Sequence, residues 1–287
     1  TELPAHVSNH RPMLARQASL WTCMRLADLL TVSTERLGQA LALPHWHVVP
    51  NYAAPLGEAS LPPTDAHQPV TLVLASMEAL AGGPLPQALR TLPQGAARVV
   101  AVGPAAASLA AAGISLEGHA LMPREAFIRW VRGLPNPVAV IPLEDSRFAS
   151  CKSAIKWFEY AEAGVPVVCS DVSPYREVVE DGRTGWLVAN QTQAWRHALQ
   201  AVIANTEQRQ QVALAARKVV RARHTLDQTV QAWEHAIAQA QRLRQCEPHA
   251  AAGTLTDLRD ALAFAAEAVA LPLRRLNRAR LAQRHRR

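Results

Sequence analysis

Lysine is nearly absent from this chain: three residues, against 27 arginines. Cysteine is sparse as well, and Cys23, Cys151, Cys169 and Cys246 show no Cys-x-x-Cys spacing. That excludes a zinc knuckle or a disulfide frame and reads as reduced thiols in a cytoplasmic protein. There is no secretory signal and no long apolar run. The best candidate, ARVVAVGPAAASLAAAGISL, is interrupted by Gly103 and Pro104, which excludes a membrane span there. The start at Thr1 rather than Met suggests a fragment or a processed chain.

A formal net charge of +7 invites a nucleic-acid reading, but its distribution argues against one. Residues 274–287, RRLNRARLAQRHRR, hold seven arginines and no acid, which leaves the body of the chain neutral. No nucleic-acid partner is expected. With Leu273, Leu276 and Leu281, the tail suits peripheral contact with an anionic membrane surface, or else a solvated end.

Short valine-rich runs are spaced regularly along the middle of the chain. VTLVLAS (70–76), ARVVAVG (97–103), PVAVIPL (137–143), VPVVCSD (165–171) and GWLVAN (185–190) alternate with helical stretches at 84–92, 104–112, 123–133, 152–164 and 192–204. A weaker run, 114–121, adds a strand. This pattern predicts an α/β fold with a doubly wound parallel sheet, whose ligands bind at the strands' carboxyl ends. Ahead of it, LLTVS (29–33) and WHVVPN (46–51) flank a short helix and suggest two parallel strands. The expected organisation is the end of a first domain at 1–52, a Pro-, Gly- and Ser-rich linker at 53–69, and the sheet domain at 70–205. One or two long exposed helices over 206–245 and a loop, helix and arginine tail over 246–287 complete it.

Two of the three lysines stand in KSAIKWFEYAEAGVPVVCSD (152–171). On a single helix over 152–164, Lys152, Lys156, Glu159 and Ala163 share one face, while Ala154, Trp157, Phe158 and Ala161 pack on the sheet. Lys152 then sits in the first turn, where an anion is favoured, and its ammonium suits a phosphate. Glu159, two turns along, can accept from both hydroxyls of a ribose. Alternatively, Glu159 is a solvated glutamate paired with Lys156. His119 reads as structural, or as a loop histidine reaching the cleft.

Residues 152–188 resemble the donor-binding domain of GT-B-fold, group 1 (family 4-like) glycosyltransferases. Glu159 stands at the second glutamate of the family's Glu-x7-Glu, and Gly164 and Pro166 at its Gly-x-Pro. Ser170, Asp171 and Glu177 match the next loop; Asp181, Gly182, Thr184 and Gly185 match the closing turn. The likeness is specific there and diffuse over the rest of 27–245. Two departures stand out: Cys151 replaces the first glutamate, and 76–91 lacks the family's diphosphate-binding Arg and Lys. The resemblance implies sugar transfer from a nucleoside-diphosphate sugar to a hydroxyl acceptor, with retained configuration, in glycan or polysaccharide synthesis. No cofactor and no metal are expected, in keeping with the lack of any Asp-x-Asp pair. Lys152 is then the catalytic cation, with Lys156, Ser153, Cys151, Glu159, Tyr175, Glu177 and Gly103 as substrate contacts. Tyr175 and Arg176 read equally as solvent-facing. A glycan or lipid-linked acceptor is recognised by the first domain, so this chain alone is expected to be inactive in transfer. A non-catalytic nucleotide-sugar-binding module and a sugar-nucleotide epimerase are the competing readings.

Overall fold

In a computed structural model, the described residues are 23–24, 27–57, 61–65, 67–77, 80 and 82–246. The arginine tail therefore lies outside them. Six apolar runs form one sheet: β3 (Val70–Ala75), β4 (Ala97–Val102), β5 (Glu117–His119), β6 (Pro137–Ile141), β7 (Val167–Ser170) and β8 (Trp186–Val188). Preceding them, β1 (Leu30–Val32) and β2 (Trp46–Val48) pair separately around α1 (Glu35–Leu41). Leu30 N–H bonds to His45 C=O and Val49 N–H to Val32 C=O, so both partners advance together and the pair is parallel, as expected.

The large sheet has the order β5-β4-β3-β6-β7-β8, and every adjacent pair is parallel. Helices cover both faces because the strands are apolar on both. In β6, Val138 and Val140 face one core, while Ala139 and Ile141 face the other. The first core is closed by α2 (Pro84–Arg90), α3 (Pro104–Ala111) and α7 (Thr192–Ala204), through Leu85, Leu109, Trp195 and Leu199. The second is closed by α4 (Arg124–Gly133), α6 (Ile155–Glu162) and α8 (Thr206–Arg223), through Val131, Trp157, Phe158 and Val220. Between β6 and α6 lies a single turn, α5 (Arg147–Ser150), and the last described helix is α9 (Leu226–Cys246).

Three expectations change in detail. The helix expected over 152–164 begins at Ile155, because residues 147–150 close their own turn under a Ser146 cap. Residues 206–245 do form two long helices, but α8 is not an exposed one: Val212, Ala213, Ala216 and Val220 are buried. The described parts of the Pro-rich stretch, 53–57, 61–65 and 67–69, are docked rather than free. Asn136 Nδ2 donates to the carbonyls of Asp65 (2.6 Å) and Gln68 (2.9 Å), and its Oδ1 accepts from Asp65 N–H at 3.0 Å.

Farther up the stretch, Leu61 and Pro62 lie against Gly164. Gly164 ends α6 at φ +74°, with its N–H on the carbonyl of Ala161 and Val165 N–H on that of Tyr160. This is a Schellman end, which glycine favours. A Cβ here would lie 2.5 Å from Leu61 Cδ2, so the site also admits no side chain.

Glu162, at the end of α6, is the buried charge of this region. Its carboxylate accepts from Leu56 N–H (3.0 Å) and from Arg221 Nε and Nη2 (both 2.9 Å), tying α6 to α8 and to the docked stretch. Burial pushes the carboxyl up, but the hydrogen bonds from Arg221 and Leu56 and the charges of Arg221 and Arg217 outweigh it and hold the group below the usual range.

The chain divides into two units. One holds 32–41 and 48–233. The described part of the other comprises 23–24, 27–31, 42–47 and 234–246, where His47 Nδ1 meets Gln239 Oε1 at 3.1 Å.

Candidate functional site

The sheet reverses direction of growth between β3 and β6, since β4 and β5 add to one side and β7 and β8 to the other. At such a switch point the two connecting loops leave in opposite directions and open a crevice at the carboxyl ends. Lys156 marks it. From the second residue of α6 its Nζ donates to the carbonyl of Ala75, the last residue of β3, at 3.0 Å. The N-cap residue of α6, Ala154, makes no side-chain capping bond. Ammonium and helix start are thus presented together at the crevice.

Lys152 stands elsewhere than the sequence predicts. It precedes the helix, in the turn after α5, with its Nζ 4.9 Å from the centroid of the Phe148 ring. Lys156, the second member of the expected pair, holds the first-turn position expected of Lys152.

Glu159 lies one turn beyond Lys156, half-buried, and its Oε1 accepts from Arg124 Nε at the start of α4. Sequence reasoning missed Arg124, which belongs to a different helix and to no motif. The expected alternative, a surface pair with Lys156, is not what forms. On the far side of the crevice, Gly103 follows β4 at φ +77° and gives its N–H to His119 C=O at 3.0 Å. A Cβ there would lie 2.7 Å from Leu121 Cδ2 and 3.1 Å from Ser76 O. Gly103 is therefore where the loops after β3, β4 and β5 converge. His119 is held by Glu117 Oε1 (2.8 Å) and the edge of Trp130 (4.8 Å between centroids), the structural role.

Three other expected contacts are engaged by residues 34–51. Thr34 Oγ1 donates to Cys151 C=O at 2.9 Å, and Cys151 Sγ lies 3.7 Å from Arg36 C=O. Asn51 Nδ2 donates to Ser153 Oγ at 2.6 Å. Glu177 Oε1 accepts from Arg36 Nε (2.7 Å) and from Ser173 Oγ (2.8 Å).

Tyr175 is a correction to the solvent-facing reading: only 4% exposed, it packs with Val172, Val179 and Tyr160 in the core. Its neighbour Arg176 does face solvent, bonded to Asp171 Oδ1 at 2.7 Å.

The motif loops are braced from within. Ser170 Oγ accepts from Leu143 N–H (2.9 Å) and donates to Asn190 Oδ1 (2.8 Å), while Asn190 Nδ2 donates to Leu143 C=O (2.8 Å). This ring locks the loops after β6, β7 and β8. The Asp-Gly-x-Thr-Gly segment is a turn: Asp181 Oδ1 accepts from Leu187 N–H and buried Thr184 Oγ1 from Glu180 N–H. Cys169 is buried beneath it, and burial pushes its thiol pKa up, so it is inert. Among the described residues no group of three or more His, Cys, Asp or Glu could hold a metal, and no helix is long and apolar enough to cross a membrane.

Residues 139–235 match the sequence profile of a family described as glycosyl transferase-like. No curated protein sequence matches the chain. Among solved structures, it is similar to a TarM variant from S. aureus in complex with UDP, at 11% identity and a TM-score of 0.53 over 77% of this chain. The chain spans 46% of TarM's length. It is also similar to Anabaena HepE in complex with UDP-glucose (14% identity, TM-score 0.59, 78% of this chain and 67% of HepE). WaaG, a glycosyltransferase involved in lipopolysaccharide biosynthesis, is similar over 72% of this chain and 62% of its own (15% identity, TM-score 0.55). At these identities the likeness shows the fold. Profile and fold point the same way: residues 139–235 match a glycosyl transferase-like profile, and the six-stranded sheet that they complete has the Rossmann-like fold of the GT-B structures it is similar to.

Proposed function

We propose that this chain is the donor-binding part of a glycosyltransferase and that the switch-point crevice takes a nucleoside-diphosphate sugar. The observation that carries the reading is Lys156, tethered to Ala75 at the carboxyl end of β3, with Glu159 one turn further along the same helix. A diphosphate meets the ammonium and the helix start; the ribose meets the glutamate. Lys152, on the turn before the helix, adds a second cation close to the departing diphosphate. HepE's complex with UDP-glucose supports the ligand class.

In the transfer, the bond between the anomeric carbon and the diphosphate oxygen breaks as an acceptor hydroxyl oxygen bonds that carbon, with retention and release of the hydroxyl proton. The two lysines stabilise charge on the leaving diphosphate, which is where electrostatic catalysis is most effective. A glycan or lipid-linked acceptor would approach from the first domain, and the arginine tail would hold the enzyme on an anionic membrane face. Liposome co-sedimentation with and without residues 274–287 tests that last point.

Calorimetry with UDP, GDP and ADP tests the central one. At least one should bind, and Glu159→Ala should weaken it by about 1–3 kcal/mol, the range for lost hydrogen bonds to a charged group. Equal affinity in the variant would end the ribose role. Product analysis with a panel of nucleotide sugars then distinguishes transfer from binding alone.

A further inference from the structure

Arg124 is the first residue of α4, a position where a helix's free N–H groups make a cation unfavourable. Glu125 in the same turn offsets part of this, and the partner that Arg124 bonds is Glu159, whose Oε1 accepts from its Nε. The two helices touch independently of the ion pair: one turn on, Phe127 meets Tyr160 edge-on, with centroids 6.0 Å apart. The pair therefore spans a gap that packing has already set.

The bond leaves capacity on both sides. A carboxylate offers about four acceptor sites, and Arg124 Nε takes one. Glu159 Oε2 accepts no hydrogen bond among the described residues, and neither Nη group of Arg124 donates one. The carboxylate could otherwise swing toward Lys156, three residues back on the same face, as such pairs readily do. That would withdraw the acceptor from the ribose end. Arg124 holds it on the other side, while Lys156 donates to Ala75.

We propose that Arg124 is a positioning residue for nucleotide binding: it fixes the plane of the Glu159 carboxylate and reserves Oε2 for the vicinal diol of a ribose. This rests on the reading of α6 as the ribose-binding helix, extends it to a residue on another helix, and makes 2′-hydroxyl discrimination the property that Arg124 controls.

The test uses the full chain and the affinities of UDP and GDP against their 2′-deoxy counterparts. The native protein should prefer the ribonucleotide by roughly tenfold, the equivalent of one hydrogen bond to a charged group. Arg124→Ala should reduce that preference to about the level of Glu159→Ala, and Arg124→Lys should restore part of it, because an ammonium can still hold Oε1. Arg124→Gln serves in place of the alanine variant if thermal unfolding shows that variant to be misfolded. A purely structural role for Arg124 would lower the melting temperature without changing the ribose-to-deoxyribose ratio. The proposal is overturned if Arg124→Ala and Arg124→Gln keep the full preference while Glu159→Ala loses it. If Glu159→Ala also keeps it, the ribose reading itself is overturned, and the proposal with it.

Discussion

Lys156 and Ala75 are joined by a 3.0 Å hydrogen bond that links the first turn of α6 to the carboxyl end of β3. The position of the lysine is thereby fixed at the one place on the sheet where two adjacent loops diverge.

Lys156→Met should weaken binding of UDP or GDP by about 1.5–3 kcal/mol, the range for a charged hydrogen bond, while leaving the corresponding nucleoside almost unaffected. Lys152→Ala should cost less, since its ammonium rides on an exposed phenylalanine ring ahead of the helix. Calorimetry at two salt concentrations checks both, because the lysine contribution should shrink as salt rises. An equal loss for nucleoside and nucleotide would make Lys156 merely structural.

The two lysines show what could be read from the sequence and what could not. Valine runs apolar on both faces have few ways to be buried, so the parallel sheet and its helices were predictable to within two or three residues. The charge-bearing stretch at 152–159 was also identifiable. Which lysine held the helix start was not, because it depended on Ser146 capping the short turn ahead of it, and so on where one helix stopped and the next began. Tyr175 failed for a related reason. A tyrosine in the loop SPYRE carries no periodicity that distinguishes a core ring from a surface one. Arg124 was invisible because its partner lies on another helix, and a contact between helices leaves no spacing to read.

Tyr175→Phe should leave nucleotide affinity unchanged, and Tyr175→Ala should destabilise the fold by about 3–5 kcal/mol, as deletion of a buried aromatic does. Denaturant titration and calorimetry on the same two variants separate the effects. Weaker nucleotide binding by the phenylalanine variant at unchanged stability would place Tyr175 in the crevice.

Glu162→Gln should cost about 1.5–3 kcal/mol at neutral pH through the loss of charged hydrogen bonds to Arg221. The carboxyl group is held below its ordinary value when folded, so its stabilisation is complete above the unfolded value, near 4.5, and is lost as pH falls through the lower folded one. Urea unfolding at successive pH values should show the gap between native protein and variant closing below that point. A gap that widens on acidification would contradict the assignment.

Gly164→Ala should destabilise by more than about 1–2 kcal/mol, combining the left-handed backbone penalty with the clash against Leu61. The companion Leu61→Ala should itself cost stability but relieve part of the glycine variant's loss. Thermal unfolding of the two single variants and the double one measures that coupling; strict additivity would mean that the docked stretch does not bear on the glycine.

The pairing of β3 with β6 has a consequence for the order in which the chain can acquire its ligand. Within β3-β4-β5 and within β6-β7-β8, each strand joins the next through a short crossover. The strands of the two halves pair only when Thr71 finds Pro137 and Val73 finds Ala139, across a long stretch of chain. Such closures carry an entropic cost that local contacts do not, and they tend to come late and slowly. A chain halted just before that event would hold both half-sheets and most of its helices, yet Lys156 would have no Ala75 to reach. Nucleotide would then recognise only the finished sheet, drawing the last equilibrium toward completion in proportion to its concentration, and the onset of binding during refolding would time the joining of the halves.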